Sequence, residues 1–331
     1  MSQYILSHPW AASALSALPV LYAIRRWCDG GKCQNELRLD GKTAIITGAN
    51  TGIGKETAID LATRGATVVM ACRDLDRSAE ALAEVKDRSK NNNVFLRKLD
   101  LSSLESVRTF ASSFTCVHNK LNILVNNAGV GACAYTKTED GFEMQFGVNH
   151  LGHFALTNLL LPLMVESSPG SRIINVSSRA GQRSIDDIKF DDINSEKSYS
   201  RFGAYCQSKL ANVLFTKELH RRLVGTGVTV YAVHPGVVLT EIGRHAQPVL
   251  WSAVKMLGPL VLKTPLQGAQ TTIYCCVEEG IEHQSGKYFV DCDVMEGTSA
   301  KSNDQGLAEK LWELSERMTG VRYMVPTCHV K

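Results

Sequence analysis

The segment from residue 42 to residue 64 constrains this chain more than any other. A β-branched apolar run, Lys42-Thr43-Ala44-Ile45-Ile46-Thr47, stops at a glycine-rich turn, and residues 56–64 continue with the spacing of an amphipathic helix. Strand, turn and helix in that order bring the chain back to start a second strand in the same direction, so the unit predicts a parallel sheet. Further strand-like runs at residues 67–71, 94–99, 122–125, 172–176, 229–233 and 286–290 alternate with helical stretches, among them 142–164, 202–222, 266–276 and 306–318. The predicted fold class is α/β: one domain built on a doubly wound parallel sheet with helices on both faces. A chain of 331 residues, 44% of them hydrophobic, suffices for that domain plus appendages. The expected division is an N-terminal hydrophobic anchor and polar linker at 1–38, the sheet domain at 39–295, and a C-terminal helical extension at 296–331.

In a sheet of this Rossmann type the ligand lies across the carboxyl ends of the strands. The first loop there is Thr47-Gly48-Ala49-Asn50-Thr51-Gly52-Ile53-Gly54. Gly48, Gly52 and Gly54 let the main chain approach a pyrophosphate, and the N–H groups and positive dipole end of the following helix favour its charge. Asn50, Thr51 and Ile53 lie between the glycines and join them as candidate cofactor contacts. The second strand runs into Cys72-Arg73-Asp74. An NAD site places a carboxylate about 20 residues past the loop to hold the ribose 2′-hydroxyl. Cys72 stands in that place, and the guanidinium of Arg73 beside it suits a 2′-phosphate, so NADP(H) is expected over NAD(H). The competing role for Arg73 is a surface ion pair with Asp74 or Asp76. Asp100, at the end of the third strand, is either a partner for the adenine amino group or a helix cap. The fourth strand delivers Asn126-Asn127-Ala128-Gly129, the fifth Ser177 and Ser178, and the sixth His234-Pro235-Gly236, with Thr240 shortly after.

Tyr205 and Lys209 share one face of the 202–222 helix, about one turn apart. A phenol with a pKa of about 10 rarely gives up its proton at neutral pH, and a nearby ammonium favours its ionised form. The pair therefore reads as an acid/base device, or else as a tyrosine packed inward beside a lysine that reaches for water. His150 and His153 have no carboxylate or cysteine beside them, and the ten cysteines show no CxxC or zinc spacing, so no metal site is expected. A net charge of +3 with acids and bases interspersed argues against nucleic acid as a partner. The acid-bearing connection at 179–203, with Asp186, Asp187, Asp191 and Asp192, reads as a solvated loop. Residues 242–262 are apolar and proline-broken, as expected of a lid over a greasy ligand or of a pair of surface helices.

Tyr4 to Ile24 contains no formally charged residue over 21 positions, and Arg25-Arg26 follow it. That length matches a bilayer, and the basic pair places the rest of the chain on the cytosolic side. Membrane association through the N-terminus is expected. Endoplasmic reticulum is the favoured membrane and a mitochondrial one the alternative, since no acid precedes Asp29.

Taken in order, Thr47-Gly48-x-x-x-Gly52-x-Gly54, Asn126-Asn127-Ala128-Gly129, Asn149, Ser178, Tyr205-x-x-x-Lys209 and Pro235-Gly236 resemble a short-chain dehydrogenase/reductase over about residues 40 to 295. Within that family, the run from Glu139 to Phe154, His234-Pro235-Gly236-Val237, Ser285-Gly286-Lys287-Tyr288-Phe289 and Ala71-Cys72-Arg73-Asp74 are similar to the membrane-associated retinol dehydrogenase (retinal reductase) group, which prefers NADP. The resemblance implies that Tyr205 is the general acid/base, that Lys209 lowers its pKa and holds the nicotinamide ribose, that Ser178 binds the substrate oxygen, and that Asn149 positions a relay water. It also implies cofactor contacts from Gly48, Gly52, Gly54, Asn127, Ala128, Gly129, Pro235, Gly236 and Thr240, a small hydrophobic substrate (a retinoid or other lipid carbonyl), and a homodimer paired through the Tyr205 helix. Ser178 and Tyr205 lie 27 residues apart, wider than the usual family interval, and Ser177 is the competing serine. A steroid or lipid-aldehyde reductase would share the mechanism, whereas a silent NADP-binding protein would have lost one of Asn149, Ser178, Tyr205 and Lys209.

Overall fold

The computed structural model describes residues 29–183, 187–238 and 262–323. The apolar N-terminal segment, Asp186, Thr240 and all but the last residue of the expected lid lie outside the described residues.

Eight strands form a single sheet: β1 (Thr43–Thr47), β2 (Thr67–Cys72), β3 (Val94–Lys98), β4 (Ile123–Asn126), β5 (Ser171–Val176), β6 (Val228–His234), β7 (Tyr288–Val290) and β8 (Asp293–Val294), in the order β3-β2-β1-β4-β5-β6-β7-β8. All neighbours are parallel except β7 and β8. The two-residue β8 has no counterpart in the expected strands, being too short to carry a period-2 pattern. Chain direction across the sheet reverses between β1 and β4, and the cleft of a doubly wound fold opens at that point.

The helices are α1 (Gly52–Thr63), α2 (Leu75–Ser89), α3 (Leu104–Val117), α4 (Met144–Glu166, with a π-helical turn over Gly147–Leu151), α5 (Arg179–Arg183), α6 (Arg201–Arg222), α7 (Pro265–Val277) and α8 (Gln305–Thr319). Strand alternation divides the core in two. Ala44 and Ile46 of β1 join one cluster with Ala58 and Leu61 of α1 and Ile273 of α7, while Ile45 joins the other with Val107 of α3, Phe154 of α4 and Phe215 of α6. Burial on both faces explains why these strands read as continuous apolar runs.

The C-terminal extension belongs to the same core. The Trp312 ring of α8 meets Phe154 edge-on at 4.9 Å and stacks with Phe215 at 5.7 Å. The polar linker also docks: Gln267 Nε2 donates to Asp29 Oδ1 at 2.7 Å, and the Cys33 N–H donates to Gln270 Oε1 at 3.1 Å. The 179–203 connection differs from a plain solvated loop. Ile188 is buried against Leu210 and Leu214 with Phe190 beside it, and the Asp192 carboxylate accepts N–H bonds from Glu196 and Lys197 at 2.7 and 3.1 Å. Two apolar residues among the acids are enough to draw the connection onto α6.

Candidate active site

Two strand ends, those of β1 and β4, are tied to α4 by one hydroxyl. Thr47 Oγ1 accepts the N–H groups of Asn127 and Ala128, each at 2.9 Å, and lies 2.9 Å from His153 Nε2. His153 Nδ1 sits 3.0 Å from the main-chain oxygen of Asn149, which only accepts, so Nδ1 carries the proton and Nε2 takes one from Thr47. Burial pulls the His153 pKa down to about 4, which keeps the ring neutral and this tautomer in place. His150 is likewise structural, with Nε2 2.8 Å from Ser315 Oγ and its pKa pulled by burial down to about 3.

The cleft above these ends has a volume of about 560 Å³. Gly48, Asn50, Thr51, Gly52, Ile53, Arg73, Asp100, Asn127, Ala128, Gly129, Ser178, Tyr205, Lys209, Pro235 and Gly236 all line it, as the sequence placed them. Gly54 works from behind the wall. A Cβ there would fall 2.5 Å from both Asn127 Nδ2 and the Gly48 oxygen, so glycine is what allows α1 to seat against the fourth loop. Cys72 is buried and leaves the rim to Arg73.

One helix end fits an anion. Asp74, Ser103, Ser200, Thr264 and Asp304 cap α2, α3, α6, α7 and α8 through their side chains, whereas Thr51 makes no such bond to α1. The first-turn N–H groups of α1, at the wall formed by Gly52 and Ile53, thus have no side-chain cap among the described residues. Arg73 is exposed and makes no ion pair among the described residues; Asp74 instead accepts the Arg77 N–H at 3.1 Å. Arg77 itself lines the cleft. In the sequence the signal for this second guanidinium is its place four residues after Arg73, in the first turn of α2. Asp100 Oδ1 accepts from the Ser102 N–H and hydroxyl at 2.9 and 2.6 Å, so the carboxylate holds the turn before α3 as well as facing the cleft.

At the other end, the two serines separate. Ser177 turns inward and donates to the Lys209 main-chain oxygen at 2.7 Å, leaving the Ser178 hydroxyl at the cleft with the Tyr205 side chain. Gly181 makes this possible: a Cβ there would be 2.6 Å from the Leu210 nitrogen, so α5 packs directly on the α6 backbone. Lys209 is only 3% exposed, and its Nζ donates to the Val176 oxygen at 3.0 Å. Burial draws its pKa down to about 8, so it remains largely an ammonium at neutral pH. Burial also raises the Tyr205 pKa, against the opposing hydrogen bond from Ser178. Nζ lies 5.8 Å from the centre of the Tyr205 ring.

Asn149 is fully buried in the π-helical turn, and its side chain does not line the cleft. Its Oδ1 accepts the Val130 N–H at 2.8 Å, and its Nδ2 donates to the Val130 oxygen and to Ser208 Oγ, both at 2.9 Å. Ser208 in turn donates to the Tyr205 main-chain oxygen at 2.8 Å. Asn149 thereby joins the site floor to the helical turn that carries Tyr205. Val130, Met144 and Val148 add apolar wall that the sequence reading did not assign.

A Rossmann-type sheet, an anion-ready helix end and a Ser/Tyr/Lys group at one cleft define a dinucleotide-binding oxidoreductase acting on CH–OH groups. A family model described as short chain dehydrogenase matches residues 42–190 and 191–249, and this chain belongs to that family. Human retinol dehydrogenase 12 is 51% identical over 91% of this chain and 93% of its own length. Mouse retinol dehydrogenase 11 is 49% identical over 90% of this chain and 92% of its own. Among solved structures, an uncharacterized protein of Mycobacterium paratuberculosis superposes with a TM-score of 0.71 at 35% identity, covering 89% of this chain and all (100%) of the other. The Pseudomonas aeruginosa RhlG/NADP active-site complex superposes with a TM-score of 0.61 at 26% identity, covering 76% and 95%.

Proposed function

We propose that this chain uses NADP(H) to interconvert a hydrophobic alcohol and its aldehyde or ketone, with reduction of retinal to retinol as its reaction. The observation that carries this reading is the convergence of Ser178, Tyr205 and Lys209 on a cleft walled by Val130, Met144 and Val148, with Arg73 and Arg77 at the β2 side of the switch point. The bound cofactor supplies a hydride to the carbonyl carbon. Ser178 and Tyr205 hold the carbonyl oxygen between their hydroxyls, and Tyr205 gives it a proton as negative charge develops there. Lys209 offsets the charge left on the phenol and holds the nicotinamide ribose, while the family pattern gives Asn149 the relay water. Arg73 and Arg77 bind the 2′-phosphate. Asn50, Thr51 and Ile53 with the glycines of their loop hold the pyrophosphate, Asp100 the adenine, and Thr240 the carboxamide.

The names of the two retinol dehydrogenase relatives support the retinoid substrate. The 21 uncharged residues before Arg25 support a membrane anchor with the catalytic part on the cytosolic face of the endoplasmic reticulum. The test is NADPH consumption by membranes containing the full chain and all-trans-retinal. Consumption with retinal supports the assignment. Consumption only with a steroid ketone or a fatty aldehyde would replace the substrate and keep the chemistry, and none with any carbonyl would overturn both.

A further inference from the structure

Gln145 is fully buried at the start of α4 and has every polar atom engaged. Its Oε1 accepts the Ala132 N–H at 2.8 Å, and its Nε2 donates to the Tyr199 hydroxyl at 2.9 Å and to the Arg201 main-chain oxygen at 3.0 Å. The Tyr199 hydroxyl passes its own proton to the Cys133 oxygen at 2.9 Å, and its ring meets Tyr135 edge-on at 5.1 Å. These directions are forced, because turning the Gln145 amide over would set donor against donor at Ala132 and oxygen against oxygen at Arg201. Between the bonded groups, Ala132 sits at φ +49°, a left-handed conformation that is unfavourable for a residue with a Cβ. Such a conformation persists only where the surroundings over-determine it.

The segment held this way borders the reacting end of the cleft. Val130 and Gly131 line it, and Gly129 lies so near Lys209 that a Cβ there would be 3.7 Å from Nζ. We infer that Gln145 and Tyr199 are positioning residues for substrate: they clamp residues 130–133 into the shape of the substrate wall, so that the 179–203 connection, which carries Tyr199, sets substrate fit without touching the substrate. This inference rests on the reading that Ser178 and Tyr205 work on a carbonyl in this cleft. Gln145 acts from α4 and Tyr199 from the connection, so neither element alone fixes the wall.

The test is Tyr199→Phe in the full chain, which keeps the ring and removes one hydroxyl. Losing that link is expected to raise KM for the carbonyl substrate about fivefold to tenfold, with kcat and the NADPH dissociation constant each within about twofold of wild type. The Ala132 amide should exchange with solvent roughly tenfold faster. Adding Ala132→Gly, which removes the left-handed penalty, should bring KM partly back. Unchanged KM and unchanged Ala132 exchange would overturn the clamp, as would a parallel fall in cofactor affinity, kcat and melting temperature, which marks general damage. If wild type turns over no carbonyl at all, the substrate reading fails, and Ala132 exchange in the variant still decides whether the clamp exists.

Discussion

The Lys209 ammonium lies 5.8 Å from the centre of the Tyr205 ring and hydrogen-bonds to the Val176 oxygen rather than reaching solvent. The lysine is thus held inside the fold as a charge, and that burial costs stability. Its folded pKa of about 8 lies below the ordinary 10.5, so below pH 8 the folded state carries the full penalty. Between those values the folded state has shed its proton while the unfolded chain keeps it, and stability rises with pH. Lys209→Met should therefore abolish turnover and yet stabilise the fold by ~2 kcal/mol at pH 7, an advantage that fades as pH climbs past 8 towards 10.5. Val176 loses only one of two donors, because Asn212 Nδ2 remains 3.2 Å from its oxygen. Denaturant midpoints of wild type and variant at two pH values decide it; a variant less stable at pH 7 would contradict the account.

The two neighbouring serines should behave differently. Ser178→Ala removes a hydroxyl beside the Tyr205 phenol and should lower kcat/KM by roughly 10²-fold with little change in stability. Ser177→Ala breaks a buried bond to the Lys209 backbone and should cost about 1 kcal/mol of stability while keeping most activity. Steady-state kinetics and melting curves on both variants check the assignment, which reversed behaviour would refute.

Thr47→Val keeps the shape of the residue and removes its hydroxyl. Ala128 N–H and His153 Nε2 then lose their partner inside the protein, and a loss of about 2–3 kcal/mol is expected. A chemical denaturation curve shifted by less than a few tenths of that amount would show that the hub does not hold the strand ends.

For the cofactor, Arg73→Ala should raise KM for NADPH tenfold or so while leaving that for NADH nearly unchanged, since only the first carries the 2′-phosphate. Arg77→Ala should do the same to a smaller degree, and the double variant should approach indifference between the two cofactors. Equal effects of Arg73→Ala on both cofactors would remove the guanidinium from the 2′-phosphate.

Much of this site could be read before folding because a doubly wound sheet converts strand ends into site positions. With Thr47, Asp100, Asn127 and Ser178 placed at the ends of strand-like runs, their meeting at one cleft follows. Strand alternation favours one of Ser177 and Ser178, and the family pattern ending in Gly181 selects Ser178; the fold adds that the Ser177 hydroxyl is engaged by the Lys209 carbonyl. The bond between Thr47 and His153, the seat of Trp312 against Phe154, and the meeting of Tyr199 with Gln145 join residues far apart in the chain. Such partners leave no period in the sequence. The connection at 179–203 misled for a related reason: its acids are conspicuous, whereas Ile188 and Tyr199 are single residues whose burial and bonding depend on α6 and α4.

The central claim is that Tyr205 exchanges the proton that accompanies hydride transfer. The most direct measurement compares wild type and Tyr205→Phe for NADPH-dependent reduction of a hydrophobic carbonyl, alongside NADPH binding to each. The account predicts a fall in kcat of about 10³-fold with the cofactor dissociation constant within twofold. Turnover by Tyr205→Phe at close to the wild-type rate would contradict it.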